Sequence, residues 1–237
     1  MQIEYLALLS ESVKNFVLEV EALAGIGIQV VQEKKLNNGG PTGGGNLEVV
    51  INAQRVQIFA PTNGYFPDGA VRHEVLHVKR FHVDGVPKLA LSDEVDWDKS
   101  FSDALVAIDN AIEHIVIVPV ELEFHPERRV HWETVMANVA ANVHTAPEAE
   151  RCLAVCLHWA FMRQVLPESP NFQALRNFAH EYGLEEEAED FSDQFLSSSK
   201  EEMISLLFSK FSNILPRNRV ALEYINSVTG TQQFSIP

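Results

Sequence analysis

The pentapeptide at positions 73–77, His-Glu-Val-Leu-His, is the feature that most limits what this chain can fold into. Residues four apart in an α-helix lie on one face, so the imidazoles of His73 and His77 can reach the same metal ion. Glu74 would then lie beside that ion as a general base. Because the chain contains 9 histidines and many glutamates, a chance match is the alternative interpretation.

The neighbouring residues predict that this segment is a buried helix. A loop at positions 64–69 precedes it, and Asp68 is predicted to cap the helix that follows. Val71, Val75 and Leu76 give this helix an apolar side. Two buried histidines and a glutamate need polar partners, which either a metal ion or a network of core hydrogen bonds would supply.

The order of the predicted elements indicates an α+β fold. Hydrophobic periodicity predicts helices at 10–24 and 101–118, a strand at 26–34, and at 47–60 one strand or two with a bend near 52–53. A glycine-rich loop is predicted at 37–46, between the two strand segments, and a strand and loop are predicted at 121–132. From 133 onward only helices are predicted, the last at 217–228 with a loose tail after it. We therefore expect one domain at 1–132, which holds a small sheet and the metal-motif helix, and a helical region at 133–237 packed on it.

A catalytic zinc ion needs a third protein ligand besides the two histidines. The predicted helix at 101–118, which Pro119 should stop or bend, offers one, because polar residues interrupt its apolar stripe: Asp109, Asn110, Glu113 and His114. We predict that Glu113 is the ligand and that Asp109, Asn110 and His114 contact the ligands. His114 or Tyr65 would help to stabilise the oxyanion.

Other residues compete with Glu113 for this role. His114 and Asp109 are alternatives on the same helix. His82 is a further alternative, but in a continuous helix it lies five residues past His77 and points away from the metal. Without a metal, Glu113 would instead pair with a histidine in the core.

With a glutamate ligand on a later helix, the segment His73, Glu74 and His77 resembles the gluzincin-type group of zincin metallopeptidases. The resemblance spans residues 47–118 and implies bound Zn²⁺, hydrolysis of peptide bonds, and a small zincin-like sheet with an active-site helix and a glutamate helix. It also implies that the strand before the active helix, residues 55–60, is an exposed edge that pairs with an extended peptide substrate. The thermolysin-like pattern is absent, because Asn110 and Glu113 are not adjacent.

Charge and composition exclude several other classes of function. The formal net charge of −15 argues against binding to nucleic acid or to anionic membranes. Much of the acidity lies at residues 181–193, which predict a solvated helix face. The only cysteines, Cys152 and Cys156, are one helical turn apart and are expected to be reduced. With no signal-peptide pattern and no apolar run that would span a bilayer, these features indicate the cytoplasm.

Two hypotheses follow for the function. The first is a zinc metallopeptidase in which His73, His77 and Glu113 hold the metal and Glu74 is the base, with a peptide or protein as substrate. The alternative is a catalytically inactive zincin-like protein, or a helical module that binds other proteins. The zinc content of protein purified without added metal separates the two, whereas the sequence leaves the oligomeric state open.

Overall fold

The structure of the chain is a computed structural model that describes residues 1–40 and 45–237. Within these residues, α-helices combine with two three-stranded sheets, which confirms the predicted α+β class. Part of the predicted glycine-rich loop at 37–46 lies outside the described residues. No helix in the described part of the chain has both the length and the apolar character needed to cross a membrane.

The α-helices account for most of the secondary structure. In the described residues they are α1 (Ile3–Leu6), α2 (Glu11–Ala24), α3 (Asp68–Val78), α4 (Lys99–Phe124), α5 (Arg129–Val143), α6 (Glu148–Val165), α7 (Pro170–Glu181), α8 (Glu185–Leu196) and α9 (Lys200–Lys210). Local signals set several of their ends: α2 ends at Gly25 in the left-handed conformation, and Ser199 opens α9 in a capping box with Glu202. The prediction that Asp68 caps α3 is wrong, because Asp68 is the first helical residue and follows Pro67 at the cap position.

The first sheet consists of β1 (Ile28–Gln32), β2 (Glu48–Asn52) and β3 (Arg55–Ala60). Its strand order is β1-β3-β2, with β3 parallel to β1 and antiparallel to β2. The alternative of two strands within 47–60 is thus confirmed, and the prediction that 55–60 form an exposed edge is wrong. The edges of this sheet are β1 and β2, because the β2–β3 hairpin leaves the other side of β3 to pair with the earlier strand β1.

The second sheet has the order β4-β5-β6 and is formed by β4 (Lys88–Leu91), β5 (Val220–Asn226) and β6 (Gly230–Ser235). β4 and β5 are antiparallel, with Leu89 opposite Leu222. The predicted helix at 217–228 and the loose tail after it are therefore wrong. Pairing with a strand far earlier in the chain overrides the local helical periodicity of this segment.

Helix α4 extends further than its sequence predicts. Pro119 lies inside the helix, which continues to Phe124 in place of the predicted strand. A proline removes one backbone hydrogen bond and disfavours a helix interior. Burial of the apolar side chains of Ile117 and Val118, just before the proline, offsets that loss.

Residues 1–87, 120–128 and 224–232 form the first of two compact units. The apolar residues of α2, the first sheet and α3 make its core, and the fully buried ones include Val13, Val17, Val56, Ile58, Val71, Val75 and Val78. Buried residues alternate with more exposed ones along β3, so one face of this strand packs into the core.

Residues 88–119, 129–223 and 233–237 form the second unit. Helices α6 and α8 make its largest helix–helix contact, and the aromatic side chains Trp159, Phe191, Phe195 and Phe208 are buried in it. The predicted domain boundary after residue 132 stays a prediction.

Candidate metal centre

Helix α3 holds the two motif histidines side by side in the first unit. The apolar residues of α3 pack into the core of this unit. His73 and His77 alternate with these residues along the helix and are buried with them, at 6% and 5% exposed. Their ring centroids are 5.0 Å apart and the rings meet edge to face at 81°. The ring of His77 also stacks on Phe81, one turn later, at 6.2 Å.

Glu121 fixes the orientation of His73. Its carboxylate accepts a hydrogen bond from His73 Nδ1 at 2.9 Å and one from Arg128 Nε at 2.6 Å. Although burial favours the protonated acid, the bonds with His73 and Arg128 lower the pKa of Glu121 to about 2. A charged carboxylate at Nδ1 holds the proton on that nitrogen, which leaves the lone pair of His73 Nε2 available to a metal.

Glu74 lies next to His73 on α3, in an environment that favours its neutral form. Burial raises the pKa of Glu74 to about 7. The charge of His73, when its imidazole is protonated, and that of Arg128 lower this pKa, whereas the charges of Glu121 and Glu48 raise it. A carboxyl group with a pKa near neutrality can both accept and return a proton at physiological pH.

His114, on α4, completes a group of three histidines. One ring nitrogen from each of His73, His77 and His114 lies within 4.8 Å of the other two. His114 is half-buried, and its ring packs edge-on against Trp132 at 5.0 Å. Among the residues that the structure describes, this is the group of histidine, cysteine and carboxylate side chains whose spacing suits a shared metal ion.

Glu113, the predicted third ligand, is not part of that group. Its carboxylate is fully buried and pairs with the ammonium of Lys200 at 2.9 Å. Asp109, one turn earlier, pairs with the same ammonium at 2.7 Å and accepts a hydrogen bond from the backbone of Leu89. These two predicted site residues therefore lie together around a lysine. The role of Glu113 as a ligand stays a prediction, and the geometry favours His114.

The other predicted residues lie outside the histidine group. Nε2 of His82 is 3.2 Å from the backbone oxygen of Asn52, which gives that nitrogen a structural partner. Tyr65 packs its side chain against the core of the first unit. Asn110 is on the exposed side of α4.

Glu121 and Arg128 are the residues that the sequence did not assign to the site. A signal for Glu121 exists, because it follows His114 by seven residues, which is close to two helical turns and places both on one face of α4. The signal is hidden by Pro119, which predicts a helix end between them. Arg128 becomes apparent only once the fold brings it to Glu121.

Comparisons of the chain with protein-family models, with curated proteins and with solved structures gave no match.

Proposed function

We propose that the chain is a zinc-dependent hydrolase that acts on peptide bonds, with His73, His77 and His114 as the metal ligands. The observation that supports this most is the spacing of the three ring nitrogens, all within 4.8 Å of one another. The same proposal includes a zincin-like arrangement of sheet and active-site helix in the first unit. A cytoplasmic location also belongs to it, supported by two cysteines that are both free thiols.

The donor set fits zinc. Three neutral imidazoles form one of the known catalytic ligand sets for this ion, and three protein ligands leave one position open. The hydrogen bond from His73 Nδ1 to Glu121 selects the tautomer that a ligand through Nε2 requires. Burial of His73 and His77 excludes most competing water from these two rings.

The residues around the histidines supply the proton chemistry of the proposed reaction. When bound, the zinc ion would supply Lewis-acid activation of a water molecule and of the scissile carbonyl. Glu74 accepts the proton of the attacking water and returns it to the leaving amine. Glu121 keeps His73 in one tautomer throughout, and Arg128 keeps the Glu121 carboxylate charged.

Peptide bonds are the proposed substrate class because His73, Glu74 and His77 resemble the His-Glu-x-x-His segment of zincin metallopeptidases, although a histidine takes the place of the gluzincin glutamate in the proposed ligand set. The net charge of −15 supports a protein or peptide substrate over nucleic acid.

Zinc content tests the ligand set. We expect about one zinc per chain in the wild type and in Glu113→Gln, and less than about a tenth of that in His73→Ala, His77→Ala and His114→Ala. Glu113→Gln is a matched control, because it alters the residue next to His114 on the same helix. Retention of zinc by His114→Ala and its loss in Glu113→Gln would reassign the third ligand. Absence of zinc in the wild type, even after zinc is supplied, would overturn the proposal in favour of a non-catalytic protein.

Hydrolysis tests the role of Glu74. With fluorescein-labelled casein and a library of quenched peptides as probes, Glu74→Gln should keep its zinc and lose at least about 100-fold in activity. Glu123→Gln, an exposed glutamate on α4, serves as the control and should remain active. Full activity in Glu74→Gln would remove Glu74 from the mechanism.

A further inference from the structure

Helix α6 carries a pair of thiols that the proposed hydrolysis does not use. The sulfur atoms of Cys152 and Cys156 are 4.0 Å apart, one helical turn from each other on the same face. Cys152 is half-buried, whereas Cys156 is fully buried. One sulfur is therefore open to small reagents and the other contacts it from the interior.

Charged groups from two other helices surround the half-buried sulfur. Glu187, on α8, lies near Cys152 and acts to raise the pKa of its thiol. Lys210, at the end of α9, pairs with Glu187 at 2.8 Å and places a positive charge near both thiols. The ammonium acts against the negative potential that Glu187 imposes on Cys152, and its effect on the pKa of Cys152 is the smaller of the two.

The two thiols differ in acidity. The hydrogen bond with Cys156 lowers the pKa of Cys152, while burial and Glu187 act against this and Lys210 assists it. The same hydrogen bond and burial raise the pKa of Cys156. Because burial disfavours a thiolate, the half-buried Cys152 is the sulfur that ionises, and the fully buried Cys156 is placed to donate its S–H to it.

We propose that Cys152 is a site of S-thiolation by low-molecular-weight disulfides, with Cys156 as the hydrogen-bond donor to the reacting sulfur. The Cys152 thiolate attacks one sulfur atom of the disulfide RSSR. A bond forms between Cys152 Sγ and that sulfur, the RS–SR bond breaks, and the electron pair leaves with RS⁻. The protein gains one RS group as a mixed disulfide and releases one thiolate.

The mixed disulfide should persist, because Cys156 is poorly placed to displace it. A bond between the two cysteines needs a sulfur–sulfur distance of about 2.05 Å. The present 4.0 Å separation within one turn of α6 can close to that value only if the helix distorts. Cys156 is also buried and protonated, which makes it a weak nucleophile.

Reaction with 5,5′-dithiobis(2-nitrobenzoate) tests the proposal on the full chain. We expect one rapid release of about one thionitrobenzoate per chain, with the adduct mapped to Cys152 by mass spectrometry, and loss of this phase in Cys152→Ser. Cys156→Ala should react about threefold more slowly, because the higher thiolate nucleophilicity partly offsets the smaller thiolate fraction. Glu187→Gln should react faster. Circular dichroism identifies any variant that does not fold, and Glu187→Gln, a surface change, keeps the test informative if Cys156→Ala is unstable.

Three outcomes would overturn the proposal. The first is a rapid release of about two thionitrobenzoates per chain without an adduct, since this means that Cys156 closes an intramolecular disulfide. The second is an equal rate for Cys156→Ala and the wild type. The third is a slower rate in Glu187→Gln, which would contradict the charge effect assigned to Glu187.

Discussion

Two carboxylates on helix α4 are equally buried and yet have different partners. Glu113 and Glu121 are both 0% exposed. Glu113 shares the ammonium of Lys200 with Asp109, whereas Glu121 accepts hydrogen bonds from His73 and Arg128. The sequence predicts a ligand at Glu113 and assigns no role to Glu121, whereas the structure places Glu121 against the motif histidine His73.

The difference shows that the partner, more than the burial, decides what a buried acid does. A buried charge must be compensated, and an ammonium at 2.9 Å supplies that compensation for Glu113 without a metal. A hydrogen bond between an imidazole and a carboxylate has a further effect, because it fixes which ring nitrogen carries the proton. Glu113 is thus suited to stabilising the fold and Glu121 to orienting a ligand.

Removal of the Lys200 ammonium should have the largest effect on stability. Lys200→Met leaves the carboxylates of Asp109 and Glu113 buried without their cation, so we expect the free energy of unfolding to fall by about 3–5 kcal/mol. Urea denaturation measures the loss, and zinc content should stay unchanged in the folded protein. Lys99→Met is the control, because the pair of Lys99 with Asp103 is exposed and should contribute less than about 1 kcal/mol. A stable Lys200→Met protein that has lost its zinc would reverse the roles assigned to the two acids.

His158, on α6, extends the comparison to a half-buried base whose pKa is shifted by desolvation. Burial lowers the pKa of His158 from 6.5 to about 4. Because the unfolded state then binds the proton more readily, this group leaves stability intact above about pH 6.5 and reduces it as the pH falls toward 4. The loss at pH 4 is on the order of 3 kcal/mol.

Urea denaturation at several pH values checks this prediction. His158→Gln should flatten the dependence between about pH 6.5 and 4. His180→Gln, which alters a side chain that is 82% exposed, should leave it unchanged. An identical slope in the His158→Gln protein and the wild type would show that burial does not hold this imidazole neutral.

Glu121→Gln isolates the effect of the orienting carboxylate. Glutamine keeps the shape of glutamate but loses its charge. Its NH2 group can also face His73 Nδ1, where it would donate a hydrogen bond instead of accepting one. We expect zinc affinity to fall about 10–100-fold. Competition with a fluorescent chelator measures it, and the control Glu123→Gln should bind zinc as the wild type does. Unchanged affinity in Glu121→Gln would place the tautomer of His73 under the control of another group.

The features that the sequence predicts correctly are those that depend on interactions between residues close together in the chain. Local periodicity predicted the helix at 10–24 closely, since the structure has α2 at Glu11–Ala24, followed by Gly25 in the left-handed conformation. The pairing of His73 with His77 is equally local, since helix geometry alone brings the two rings together.

The failures depend on contacts with distant parts of the chain. The segment of β5 has a helical sequence pattern but pairs with β4, and α4 continues through Pro119, with Ile117 and Val118 buried just before the proline. The assignment of the third ligand to His114 and not to Glu113 depends on Lys200, which pairs with Glu113 and which no local sequence pattern predicts.

The smallest predicted effect concerns a glycine that gives Arg128 its place beside Glu121. A Cβ at position 69 would lie 2.7 Å from Arg128 Cγ, so the arginine must move in Gly69→Ala. Displacement of Arg128 weakens its 2.6 Å bond with Glu121 and loosens His73, which should reduce zinc affinity about threefold to tenfold. Alanine is also the better helix former, by up to about 1 kcal/mol, which offsets part of the stability lost when the buried Glu121 carboxylate is held less well by Arg128. Gly27→Ala is the matched control, because its Cβ would meet only Glu21 at 3.8 Å. Equal zinc affinity in the two variants would mean that Glu121 holds His73 without help from Arg128.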